Sequence, residues 1–196
     1  MAGRFVAIAM LSAALYGQSL KPVIDNERVT VWDVTWTKGQ TNPAAPDRDV
    51  VMMWLTGASA GTASFSAKGG ERNEPAGSGA RSLVVELKDH PEPPYENKTG
   101  YPNAFPRPHV KKLLENDRVV VWSYRWNPGE PTPMHFHDKD VVLVYLEDTA
   151  LTSTTPDGAK TLNEYKAFQI RFNKGDRTHT ELLARGTGSA LMMELK

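Results

Sequence analysis

Apolar and polar positions alternate with a period of two along most of this chain, and helical periodicity is nearly absent. Val120, Trp122, Tyr124 and Trp126 fall on one face of residues 119 to 126, and VWDVTW at 31 to 36 alternates in the same sense. Side chains i and i+2 of a strand share a face, so both stretches predict half-buried strands with their tryptophans turned into a core. DVVMMWL at 49 to 55 and DVVLVYL at 140 to 146 are short apolar runs of the kind found in buried strands. AFQIRF at 167 to 172 is a further strand candidate, and TTPDGAKT at 154 to 161 carries a Pro-Asp-Gly turn. Short strands punctuated by turn signals predict an all-β sandwich or barrel.

The pattern occurs twice. DNERVTVWDVTW at 25 to 36 returns as ENDRVVVWSYRW at 115 to 126, DRDVVMMWL at 47 to 55 as DKDVVLVYL at 138 to 146, and SLVVELK at 82 to 88 as ALMMELK at 190 to 196. A period this long points to a duplicated domain, because solenoid repeats are shorter. Residues 89 to 109 lie between the copies and hold six prolines and a glycine, which exclude a regular helix and most central strands. The expected organisation is therefore an N-terminal repeat over 20 to 88, a Pro-rich linker over 89 to 110 that wraps the surface, and a C-terminal domain over 111 to 196. The first repeat is the more compact, so it is expected to be reduced, with KGGERNEPAGSGA at 68 to 80 as an added loop.

Composition narrows the chemistry. Basic and acidic residues number 23 each with no basic cluster, so nucleic acid is not an expected partner. Cysteine is absent, which excludes disulfides, thiolate nucleophiles and Cys-based metal sites; any metal must be held by His, Asp or Glu. Residues 1 to 19 begin with one arginine, continue through an uncharged apolar run from Phe5 to Tyr16 and end on Gly17-Gln18-Ser19. That order is the order of a secretory signal, and the apolar run is too short to span a bilayer comfortably. A periplasmic or secreted protein, free of the membrane after cleavage, is expected. A homodimer formed through a sheet edge is open to such a fold.

Two of the five histidines sit in MHFHDKD at 134 to 140, directly before a predicted strand. His135 and His137 project to the same face there, where two imidazoles can share a metal. His179 follows a Gly-containing turn in NKGDRTHTELL and is a third candidate ligand, for Zn, Fe, Mn or Cu. Glu181, two residues further, shares its face on an unbroken strand and is a candidate catalytic base or additional ligand. His90 and His109 adjoin prolines in the linker and are expected at the surface.

Gly129, five intervening residues and His135-Phe136-His137 resemble the first cupin motif, and Asn173 through Gly175 to His179 resembles the second. The resemblance covers residues 115 to 196, and the N-terminal repeat through its likeness to the C-terminal one. It implies two tandem cupin-like jelly-roll barrels, the N-terminal one reduced, with a divalent transition metal held by His135, His137 and His179 in the C-terminal barrel. The glutamate of the first motif has only Asp140 near its place, and the proline of the second is replaced by Asn173. Because DRD at 47 to 49 matches DKD at 138 to 140 where no histidine pair exists, Asp140 is expected in a structural role. Ala44, Ala45 and Pro46 stand where the first repeat would carry its histidines, so that repeat is expected to bind no metal.

Three classes of function fit these residues: a metal-dependent enzyme acting on a small molecule, of oxygenase, isomerase or hydrolase type; a module that binds a sugar or carboxylate without turnover; and a structural barrel with a vestigial site. Cupin-like barrels host many chemistries, so the fold does not choose among them.

Overall fold

The computed structural model describes residues 20–72 and 79–196. The expected signal, residues 1–19, and positions 73–78 of the added loop lie outside the described residues. Among the described residues the regular structure is fourteen strands: β1 (Ile24–Asp25), β2 (Val29–Thr35), β3 (Asp49–Trp54), β4 (Ala63–Ser66), β5 (Arg81–Leu87), β6 (Val110–Glu115), β7 (Val119–Arg125), β8 (His135–His137), β9 (Val141–Tyr145), β10 (Thr149–Thr154), β11 (Lys160–Tyr165), β12 (Ile170–Asn173), β13 (Arg177–Gly186) and β14 (Ser189–Leu195). Among those residues no helix is long and apolar enough to cross a membrane.

The strands form three antiparallel sheets, ordered β1-β2-β5-β3-β4, β12-β9-β14-β7-β6 and β11-β10-β13-β8. The second and third face one another and enclose Trp122, Tyr124, Trp126, Leu143, Tyr145, Leu151 and Leu183, which is the interior of a jelly roll. Alternation along β7 explains why. Val120, Trp122 and Tyr124 turn into this interior, while Val119 and Val121 turn the other way and are completely buried against the first sheet.

The reduction expected of the N-terminal repeat takes the form of a single five-stranded sheet among the described residues. Val29, Val31, Val51, Met53, Leu83 and Val85 of that sheet pack on Val119, Val121, Val142, Val144, Leu191 and Met193 of the C-terminal half. Its opposite face carries Trp32, Trp36, Met52 and Trp54, with Ala44 of the loop at 37 to 48 packed among them. Strand registers in the halves correspond: Val29 is opposite Leu87 as Val119 is opposite Leu195, and Val51 opposite Val85 as Val142 is opposite Met193.

Reciprocal ion pairs join the halves. Arg28 Nη1 lies 3.3 Å from Asp140 Oδ2, and Arg118 Nη1 lies 2.8 Å from Asp49 Oδ2. The arginines also donate to the carbonyls that close the opposite repeat, Arg28 to Lys196 at 3.3 Å and Arg118 to Lys88 at 2.8 Å. Residue i of one half thus meets j of the other and j meets i, the rule of a two-fold interface.

The expected strand at 167 to 172 begins later, at Ile170. Asp148 accepts the Ala167 N–H at 2.9 Å and Phe168 adopts φ 62°, so these residues make the turn that precedes β12.

Candidate metal centre

β8 and β13 run antiparallel with His179 directly opposite His135, and Arg177 opposite His137. Cross-strand partners and i, i+2 neighbours share a face, so His135, His137 and His179 converge inside the barrel. All three are buried, and one ligand atom from each lies within 4.8 Å of the others. The intervening Phe136 instead meets the linker through its backbone: its N–H donates to Pro102 and its carbonyl accepts from Ala104, at 2.8 and 2.7 Å.

His135 Nδ1–H donates to the Pro133 carbonyl at 2.7 Å, which leaves Nε2 with its lone pair turned inward. That atom stands 3.2 Å from His137 Nε2. Two nitrogens held at about 2.1 Å from one ion, at angles between square and tetrahedral, would lie roughly 3.0–3.4 Å apart. His137 Nδ1 and His179 Nε2 are buried with no hydrogen-bond partner among the described residues. The donor set, the spacing and the orphaned nitrogen of His179 therefore fit a divalent ion.

Electrostatics keep the imidazoles in the ligating form. Burial, reinforced by the Arg107 charge and by His179, pushes His135 down to about 3. Burial followed by the Arg177 charge holds His137 well below its ordinary range, and burial lowers His179 despite the nearby Glu181. Neutral imidazole is the species a metal takes.

Glu181 faces this cluster as the strand alternation requires, with Oε1 3.7 Å from His179 Nε2. Trp126 Nε1–H donates to its Oε2 at 3.0 Å, and its backbone N–H donates to Thr132 Oγ1 at 2.8 Å. Burial by itself raises this carboxyl, but its interactions with His179, Arg107 and His135 and the indole bond outweigh it, and the group is held below the usual carboxylate range. Asp140, near the position of the cupin glutamate, has both oxygens engaged, one by Arg28 and the other by the Gly175 N–H at 2.8 Å. It braces the turn before β13. His90 and His109 are exposed as expected.

Arg107 is the site residue that strand patterning does not reveal. It lies in the linker, between Pro106 and Pro108, and no periodicity marks it. Folding brings the linker along β8, where Asn103 bridges Phe136 in parallel, and the chain then turns the Arg107 side chain inward until it is 5% exposed. Its Nη1 comes to 2.9 Å from His135 Nε2, and its Cζ sits 4.8 Å from the Phe105 ring and 4.2 Å from that of Tyr124. A cavity of about 170 Å³ adjoins the cluster, lined by Arg107, Arg171, Arg177, Tyr145, Tyr165 and Glu181 besides His137 and His179.

No family model matches the chain. The beta-alanine degradation protein BauB of Pseudomonas aeruginosa is 38% identical over 60 residues, which are 31% of this chain and 59% of that protein. A cupin 2 conserved barrel domain protein from Leptotrichia buccalis superposes with a TM-score of 0.53 over 90% of this chain and 88% of its own, at 12% identity. Protein YlbA from E. coli gives 0.53 over 86% and 77%, at 9% identity. Together with the two facing sheets and the histidines inside them, these likenesses define the class: the chain has the cupin fold.

Proposed function

We propose that the C-terminal barrel binds one divalent transition metal through His135, His137 and His179, and that the protein is a metal-dependent enzyme acting on a small molecule. The observation that carries the reading is the convergence of three buried, neutral imidazoles, two of which have an unpartnered ring nitrogen. Zn, Fe, Mn and Cu all suit a nitrogen donor set without thiolate. A bound ion supplies Lewis acidity and open coordination positions. Glu181, an ionised carboxylate beside His179 and held by Trp126, accepts or returns the proton that the reaction moves. The small cavity favours a small metabolite as substrate, and the name of the Pseudomonas relative, a beta-alanine degradation protein, supports the same scale of substrate.

The wider reading is a protein exported through residues 1–19 and organised as two repeats, 20–88 and 111–196, joined by the linker at 89–110 and derived from one duplicated unit. Matching strand registers and the reciprocal arginine–aspartate pairs support the duplication. The N-terminal repeat acts as a packing partner without metal. To test the catalytic assignment, the metal-loaded protein and Glu181→Gln are assayed for turnover against a panel of small carboxylates and carbonyl compounds. The variant is expected to retain its metal and lose at least a hundredfold in kcat, the scale of a lost general base. Turnover unchanged in Glu181→Gln would remove Glu181 from the mechanism.

A further inference from the structure

The Arg107 guanidinium is buried beside His135, and among the described residues no carboxylate lies within hydrogen-bonding distance of it. Among the described residues its Nε has no partner, and Glu181 is 3.9 Å from Nη2 with one oxygen already taken by Trp126. Phe105 and Tyr124 stabilise the charge through their rings without engaging its N–H donors. A buried cation left in this state is unfavourable unless something supplies the missing acceptor. The cavity adds to the imbalance, since Arg171 and Arg177 also line it and Glu181 is the single acid among the lining residues. Arg177 spends its Nε–H on the Lys174 carbonyl at 2.6 Å, whereas Arg107, whose Nη1–H meets His135 Nε2 at 2.9 Å, keeps its Nε–H without a partner among the described residues.

We infer that Arg107 is the anion anchor of this cavity, and that the substrate is a small organic carboxylate seated on its guanidinium beside His135. Planar guanidinium presents paired N–H groups that match the two oxygens of a carboxylate. A divalent ion on the histidines and a guanidinium 2.9 Å from His135 Nε2 repel each other in a buried site, and an anion placed between them offsets both charges. Anion binding of this kind also selects against neutral isosteres, which leave the arginine unpaired. The inference rests on the metal centre proposed above for the ion's share of the charge.

The experiment measures thermal unfolding of the full chain against increasing propionate, and against propionamide as the neutral isostere, for the wild type, Arg107→Gln and Arg107→Lys. Metal content is determined for each protein in parallel. Propionate is expected to raise the wild-type midpoint while propionamide does not. Arg107→Gln is expected to keep its metal and bind propionate at least tenfold more weakly. Arg107→Lys keeps the charge but not the fork, and is expected to fold and to bind at intermediate strength. Equal stabilisation by propionate and propionamide, or unchanged propionate affinity in either variant, would overturn the assignment. Metal absent from every protein, with propionate binding still dependent on Arg107, would uphold the anchor while removing the metal centre.

Discussion

Replacing Asp140 by Asn tests how the halves are held together, and the protein contains its own control. Asparagine keeps the shape of the side chain and an oxygen for the Gly175 N–H, but it removes the negative charge that faces Arg28. The Arg28 and Asp140 side chains are 5% and 1% exposed, and breaking a pair buried to that degree costs about 3–5 kcal/mol. Arg28 retains Glu92 at 3.8 Å and the Lys196 carbonyl, which places the expected loss near the lower end, about 3 kcal/mol. Asp49→Asn makes the same change at the related position, where Arg118 and Asp49 are 29% and 17% exposed, and there the expected cost is about 1 kcal/mol. At roughly 2–4 °C per kcal/mol for a chain of this size, thermal unfolding should fall by about 6–12 °C for Asp140→Asn and about 2–4 °C for Asp49→Asn. Chemical denaturation of both variants supplies the free energies. Equal losses at the two positions would refute the reasoning, because burial is the main physical difference between the pairs.

Two further outcomes follow from the site and its strands. His135 is held at about 3 against an ordinary value of 6.5, so between those limits the unfolded chain takes up a proton that the folded metal-free protein refuses. Stability is therefore fully present above pH 6.5 and lost as pH falls toward 3, by about 1.4 kcal/mol per pH unit for His135 alone; denaturation midpoints that stay flat from pH 7 to 4 would contradict the buried, neutral cluster. Gly186→Ala is expected to destabilise by about 2 kcal/mol in the same assay, because φ is +86° and an added Cβ would run into the Asp148 carbonyl at the end of the β10–β13 ladder.

What could be read in the chain beforehand, and what could not, divides by the range of the interaction. The tryptophan faces of β2 and β7, the turn after β10 and the shared orientation of His135 and His137 all follow from period-two alternation and local turn chemistry. His179 and Glu181 were legible for the same reason, since both lie on the inward face of β13. Arg107 was not, because its place depends on a linker without alternation that is laid beside β8 by backbone hydrogen bonds. Reciprocity of the Arg28–Asp140 and Arg118–Asp49 pairs was equally hidden. The repeated NERV/NDRV and DRD/DKD motifs show that each half carries an arginine and an aspartate, but not that each arginine crosses to the other half. Nor does local pattern say that the outward-facing valines of β7 meet the N-terminal sheet, since buried strands read as continuous apolar runs whichever layer covers them.

The measurement that bears most directly on the account is the metal content of the purified protein beside His137→Ala, each offered Fe, Mn, Zn and Cu in turn and then freed of loosely bound ions. Near one equivalent of a single transition metal in the parent, lost from a variant that still unfolds cooperatively, is the predicted result. No retained metal in the parent, or equal retention in both proteins, would contradict the assignment of His135, His137 and His179 as a metal centre.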